Sequence, residues 1–237
     1  MMILLALTAL APLRILPLGD SITQGGRVDR PEYTYRLPLQ RMLTDMKVSF
    51  EFIGSMTAGL QPEAKWPAPF DPHHEGHYGW KTAAVRDHLE EWMTKWVHAP
   101  DIALIHLGSN DQDAEPQTAI AAPLTDIVRM LRQSNSKIVV LLGQIDFNGG
   151  AALKIHPVVA ALAKSLDTPT SPVKAVDHYK GWIEDPANPN SDTFDWAHPN
   201  PKGQEKMARN WLEAMKPWLG NGQPRSLRPF AGLSGVR

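Results

Sequence analysis

Short apolar runs and longer segments with helical periodicity take turns along the chain. The runs are Ile15–Leu18, Ser49–Gly54, Asp101–Leu107, Lys137–Leu142 and Val173–Asp177. Between and after them, Tyr35–Met46, Thr82–Val97, Pro116–Gln133, Ala151–Ser165 and Lys202–Leu219 place apolar residues three and four positions apart, the spacing of one helix face. In the last segment Trp211, Met215 and Trp218 share a stripe, and Pro199 and Pro201 block an earlier start. Strands alternating with helices imply right-handed crossovers and a parallel sheet covered on both faces. The pattern predicts an α/β fold, a flavodoxin-like three-layer α/β/α sandwich with a five-stranded parallel sheet. Ligands of such sheets bind beyond the carboxyl ends of the strands. That rule directs attention to Gly19-Asp20-Ser21-Ile22 after the first run and Gly108-Ser109-Asn110-Asp111 after the third.

Two long irregular stretches break the alternation. Ser55–Tyr78 holds Pro62, Pro67, Pro69 and Pro72, and Gly181–Asn200 holds Pro186, Pro189 and Pro199. Loops of that length in a compact domain are more often functional than decorative. At the ends, residues 1–12 form an apolar leader or a truncated signal peptide, with Ala9-Leu10-Ala11 as a small-residue cleavage pattern. The leader is too short to span a bilayer. Residues 220–237 are rich in Gly, Pro and Arg and are expected to form a disordered tail. That leaves 13–219 as the domain, and an exported protein, secreted or periplasmic, as the expectation.

Composition narrows the function classes. Among 237 residues 43% are hydrophobic and 21% charged, and the formal net charge is −1. A near-neutral chain with scattered Lys and Arg offers no electrostatic case for nucleic acid or for an anionic membrane surface. The absence of cysteine removes disulfides, thiolate metal sites and a cysteine nucleophile.

The stretch Gly19-Asp20-Ser21-Ile22-Thr23-Gln24-Gly25-Gly26 admits three readings. A phosphate loop fails, because five residues separate Gly19 from Gly25 and Gly26 stands where a Lys belongs. The G-x-S-x-G elbow fails as well, because Thr23 replaces its second Gly. A helix cap by Asp20 or Ser21 and a nucleophilic Ser21 both survive. A serine nucleophile needs a base, a group that orients the base, and donors for the oxyanion. Of nine histidines, only His198 follows an acid by three residues in a Pro-bounded turn, Asp195-Trp196-Ala197-His198-Pro199. His106 lies inside the third run and reads as a core or near-site residue. His73-His74-Glu75-Gly76-His77 lacks the spacing and the helix of a zincin, so no metal is expected.

Taken together, these segments resemble the SGNH (GDSL-type) hydrolases, whose four short blocks recur here in order. The resemblance implies Ser21 as nucleophile and as a backbone oxyanion donor. It implies Gly79, in Gly76-His77-Tyr78-Gly79-Trp80, as the second donor and Asn110 as the third. Asp195 and His198 complete the implied triad. The chain is most similar to carbohydrate esterase family 3, acetylxylan-esterase-like members, through Arg14–Thr23, Phe50–Ser55 and His74–Trp80. On that likeness the H-E-G-H stretch is scaffolding for the glycine donor. Two stretches depart from the family pattern, Asp146-Phe147-Asn148-Gly149-Gly150 and the Pro186–Asp192 insertion, where the acyl and alcohol pockets could differ.

The implied activity is hydrolysis of short acyl esters, acetyl on carbohydrate such as acetylated xylan, through an acyl-enzyme and with no cofactor. A general short-chain arylesterase or thioesterase is the alternative, and a non-catalytic carbohydrate binder a more distant one. Trp92, Trp96, Trp211 and Trp218 fall on helices and read as core. Trp66, Trp80, Trp182 and Trp196 lie in irregular segments near the blocks. There, with Asp20, they are candidate substrate contacts, indole faces being suited to sugar rings and equally to loop packing.

Overall fold

The computed structural model describes residues 11–219. The expected tail and all but the last two residues of the expected leader lie outside them. The first strand, β1 (Leu13–Gly19), is buried at every position, as a central parallel strand must be. Around it the chain adds α1 (Ser21–Gln24), α2 (Arg36–Asp45), β2 (Phe50–Phe52), β3 (Glu75–Gly76) and α3 (Thr82–Met93). There follow β4 (Ile102–His106), a π-turn at Gln117–Ala121 running into α4 (Ala122–Ser134), and β5 (Val139–Gln144). The order closes with α5 (Ala152–Leu166), β6 (Val173–Asp177) and α6 (Pro201–Leu219). The strands run in the order β2-β1-β4-β5-β6, all parallel, with β3 paired to β1. Without β3 this is the flavodoxin-like order.

Alternation along each strand sorts the core into two layers. Leu16, Leu18, Ala103, Ile105, Val140 and Leu142 face α3, α4 and α5. Leu13, Ile15, Ile102, Leu104, Val139 and Leu141 face α2 and α6. Trp92, Trp96 and Trp211 are buried in these layers, and Trp218 packs against the second.

The sixth strand is the addition to the expected five. β3 has only two residues, too few to show a period, inside the stretch read as irregular. Its presence accounts for Pro17, an unusual residue in a central strand because it lacks a donor. Leu13 N–H donates to Ser49, Ile15 C=O accepts from Ile53, and Gly19 C=O accepts from His77, so odd-numbered positions of β1 bond toward one side. On that side β2 covers Leu13–Ile15 and β3 covers Leu18–Gly19. Pro17 faces the seam between them, where no N–H is required.

Boundaries differ in three places for local reasons. α3 stops at Met93, before Val97, which is exposed. β2 keeps only three residues of Ser49–Gly54. α6 begins at Pro201 itself, since proline suits the first helical position, where its missing donor would be unpaired anyway.

Candidate active site

The site forms where β1 ends. Asp20 is the N-cap of α1: its Oδ1 accepts the Ile22 N–H at 3.0 Å, and Ser21 takes the first helical position. The two surviving readings of this turn therefore fall on adjacent residues. Ser21 is 6% exposed, and its Oγ lies 3.1 Å from His198 Nε2. His198 Nδ1 lies 3.0 and 2.9 Å from the two oxygens of Asp195. A proton on Nδ1 satisfies the carboxylate and leaves Nε2 free to accept the serine proton. Burial pushes the Asp195 carboxyl upward. Hydrogen bonds from the His198 backbone, Arg30 and the His198 ring overcome this and hold it well below the usual carboxylate range.

The loop carrying Asp195 and His198 is tied at every turn. Asp195 Oδ1 accepts the His198 N–H at 2.8 Å, Phe194 N–H donates to His198 C=O at 2.8 Å, and Trp196 N–H donates to Thr193 Oγ1 at 3.2 Å. These bonds hold Trp196 in the left-handed region, φ 72°, a conformation that costs about 1–2 kcal/mol for a side chain of this kind. Tyr78 stacks on the His198 ring at 5.2 Å and 21°.

The two implied oxyanion donors reach the same place through hydrogen bonds that fix their neighbours. In the 77–80 turn, His77 N–H donates to Gly19 C=O at 2.9 Å and Tyr78 N–H to Gln24 Oε1 at 2.7 Å. Trp80 C=O accepts from Asn110 Nδ2 at 3.0 Å, and Asp20 Oδ2 lies 3.5 Å from the same nitrogen. Both amide hydrogens of Asn110 therefore have acceptors, the Asp20 contact being the longer and the easier for a ligand oxygen to displace. Gly79 sits at φ 79°, in the left-handed region that favours glycine, with open space where a Cβ would point. Asp111, next to Asn110, accepts from Thr82 N–H and Oγ1 at 3.0 and 2.8 Å and so caps α3 from outside the helix.

The H-E-G-H stretch holds this turn in place. Glu75 is fully buried and accepts from Ser55 N–H, Ser55 Oγ–H and Trp96 Nε1–H, each at 2.8 Å, and from His77 Nε2–H at 2.9 Å. His74 accepts the Gly76 N–H at 2.9 Å and donates to Ala58 C=O at 3.1 Å. His77 stacks on Trp92 at 3.8 Å.

The candidate substrate contacts divide. Trp182 is 5% exposed and packed in the second core layer, so the expectation of a substrate face there is corrected. Its loop reads as irregular, but Gly203 on α6 leaves room for the indole edge. Asp20 is also corrected as a direct contact: it is fully buried, and reaches a ligand only through Ser21 and Asn110. Burial raises its pKa to about 7 against the hydrogen bond from Ile22. Trp80 is half-buried among His77, His88 and Trp92. Trp196 is 57% exposed beside His198. Trp66 is half-buried, with Arg36 5.3 Å from its ring, and lines a cleft of about 170 Å³ together with Arg30, Glu32, Tyr33, Glu63 and Lys65.

Sequence reasoning missed Gln24, Arg30 and Arg36. Gln24 sits in the opening motif itself. Arg36 is fully buried and donates to the carbonyls of Thr23, Gln24 and Pro72 at 3.0, 3.1 and 2.7 Å, clamping the end of α1 to the long loop. Burial lowers its pKa to about 10.

Several known proteins are similar to this chain. A curated multidomain esterase of Ruminococcus flavefaciens is 26% identical over 96% of this chain, which spans about a third of that relative's length (32%). Among solved structures, an acetyl esterase mutant with acetate ion superposes with TM-score 0.72 at 24% identity, covering 87% of this chain and 98% of that one. A carbohydrate esterase family 3 structure from Talaromyces cellulolyticus gives TM-score 0.71 at 24% identity over 87% and 98% of the two chains. A family 3 carbohydrate esterase of Clostridium thermocellum gives 0.71 at 23% over 88% and 97%. At these identities the structures establish a common fold. Among the described residues no helix is long and apolar enough to cross a membrane. Residues 18–206 match the model of the GDSL-like lipase/acylhydrolase family, and the chain belongs to that family.

Proposed function

We propose that the protein is a serine esterase that removes short acyl groups, acetyl above all, from carbohydrate through an acyl-enzyme. The observation that carries this reading is the unbroken row Ser21 Oγ, His198 Nε2, His198 Nδ1, Asp195, with links of 2.9–3.1 Å. Family membership supports an ester substrate. The fold shared with carbohydrate esterases and with an acetyl esterase supports the acetyl and sugar assignments.

Ser21 Oγ attacks the ester carbonyl carbon while its proton passes to His198 Nε2. The carbonyl electrons move onto oxygen, where the N–H groups of Ser21 and Gly79 and the Asn110 amide receive the charge. Each such donor is worth about 3 kcal/mol of barrier. Collapse breaks the bond to the alcohol oxygen, which takes the proton from His198. Water then repeats the sequence on the acyl-enzyme, with His198 as base, and releases the acid. Asp195 keeps the imidazole in the required tautomer. The cleft beside Arg30 takes part of the alcohol: Trp66 and Tyr33 offer aromatic surface, and Glu63 and Lys65 offer an acceptor and a donor for hydroxyls. Trp196, exposed in the His198 loop, offers a second indole face.

Purified protein should hydrolyse p-nitrophenyl acetate much faster than the octanoate and release acetate from acetylated xylan. Ser21→Ala should lower the acetate rate by about 10³-fold or more. A Ser21→Ala protein with wild-type rates rejects the mechanism. Wild-type activity on aryl acetates with none on acetylated xylan favours the general arylesterase or thioesterase.

A further inference from the structure

Besides His198, the Asp195 carboxylate has a cationic partner that the proposed reaction does not call for. Arg30 Nη1 donates to Asp195 Oδ2 at 2.8 Å, the same oxygen that lies 2.9 Å from His198 Nδ1. The contact joins residues 165 positions apart. Arg30 is itself held from three sides. Its Nη2 donates to Glu32 at 3.2 Å, its guanidinium carbon lies 4.9 Å over the Phe194 ring, and its side chain is only 13% exposed. Glu32 is 3% exposed and accepts the Arg27 N–H through its other oxygen at 3.2 Å. A guanidinium anchored this way cannot swing into solvent, so the contact is a built feature and differs from a mobile surface pair.

The geometry points to Arg30 as a positioning residue for the Asp195–His198 pair, one that fixes the His198 loop to the nucleophile loop and draws charge from Asp195. This rests on the esterase reading above. By gripping Phe194 and Asp195 together, Arg30 ties the last block to the segment that begins at Ser21. By sharing Oδ2, it weakens the hold of the carboxylate on a protonated imidazole. The bond therefore sets both the place of the carboxylate and the charge it presents to His198 Nδ1.

Among the described residues, the charged and titratable groups near His198 come from three segments. Asp195 is on its own loop, Arg27, Arg30 and Glu32 are on the loop after α1 with Asp20 next to Ser21, and Tyr78, bonded to Arg27, stacks on the ring. Burial raises both Glu32 and Tyr78, and burial opposes the Arg30 charge less than Asp195 and Glu32 favour it, so Arg30 stays cationic. Asp195 is 36% exposed, so solvent screening limits what removal of the Arg30 charge can do.

The test compares Arg30→Met, Arg30→Lys and Glu32→Gln. In Arg30→Met the acid limb of kcat/KM for p-nitrophenyl acetate should move to higher pH by about 0.5–1 unit and the plateau should fall by about tenfold. Arg30→Lys should recover most of the limb position and less of the plateau, since a lysine supplies the charge without the fork. Glu32→Gln frees the guanidinium for Asp195 and should move the limb the opposite way, which keeps the idea testable if Arg30→Met folds poorly. NMR titration of the His198 imidazole in the same proteins reads the shifts without turnover, so failure of the esterase reading does not mask the result. A lower plateau or lower melting temperature with the His198 titration unmoved in all three variants overturns the proposal.

Discussion

Two buried carboxylates near the carboxyl edge of the sheet show how differently one fold treats the same chemical group. Glu75 has four donors around its two oxygens, from Ser55, Trp96 and His77. Asp146, just past the end of β5, is as deeply buried, but among the described residues neither of its oxygens has a hydrogen-bond partner, and His106 Nε2 lies 3.7 Å away. Burial holds the Asp146 carboxyl well above its ordinary value and pulls His106 down to about 3, so the pair rests as neutral acid and neutral imidazole. A buried charge is tolerated where donors surround it. Where they do not, the group gives up the charge.

That contrast can be broken by substitution. The largest effect is expected from Glu75→Ala, which strands the Ser55, Trp96 and His77 donors. Urea unfolding should report a loss of about 3–5 kcal/mol, and hydrolysis should fall with it because the Gly79 turn follows β3. Trp96→Phe keeps an aromatic ring and deletes one hydrogen bond to the carboxylate, for a loss of about 2 kcal/mol; a loss near zero would mean that Ser55 and His77 suffice. The smallest effect belongs to Asp146→Asn. A carboxyl raised on folding keeps its proton while the unfolded chain, with an ordinary value of 3.8, has released it. Stability is then greatest below that value and declines as pH rises toward the folded pKa. Asparagine removes this decline, so the variant should match the wild type within about 1 kcal/mol in acid and gain on it as pH rises. A constant difference across pH would show that Asp146 is not the group responsible.

The fold was legible because its signal is redundant. Five runs and five periodic segments recur over lengths that suit strands and helices, and each falls within a few residues of an observed element. What escaped has too little sequence to carry a period, such as the two residues of β3, or acts through tertiary neighbours. The cap of α3 comes from Asp111, distant in sequence, and Trp182 is buried because Gly203 on another element makes room. At the site, Ser21, Gly79, Asn110, Asp195 and His198 could be found because their types and order are distinctive. Arg30 and Arg36 could not. An arginine in a loop reads as a solvated charge until the fold supplies a buried ring, a carboxylate or three carbonyls to receive it. Gln24 lay in plain view, but only the folded turn reveals that its amide oxygen reaches Tyr78.

The bond between Ser21 and His198 closes a loop between residues 177 positions apart. Its halves arrive at the start of α1, just past β1 and near the start of the described chain, and on the loop that launches α6, the last described element. No contiguous fragment, and no folding intermediate lacking either end, can bring the two side chains together. The hydrogen-bonded row therefore requires both ends of the domain in place, and recovery of its chemistry after denaturation reports their assembly where regained helix content alone does not.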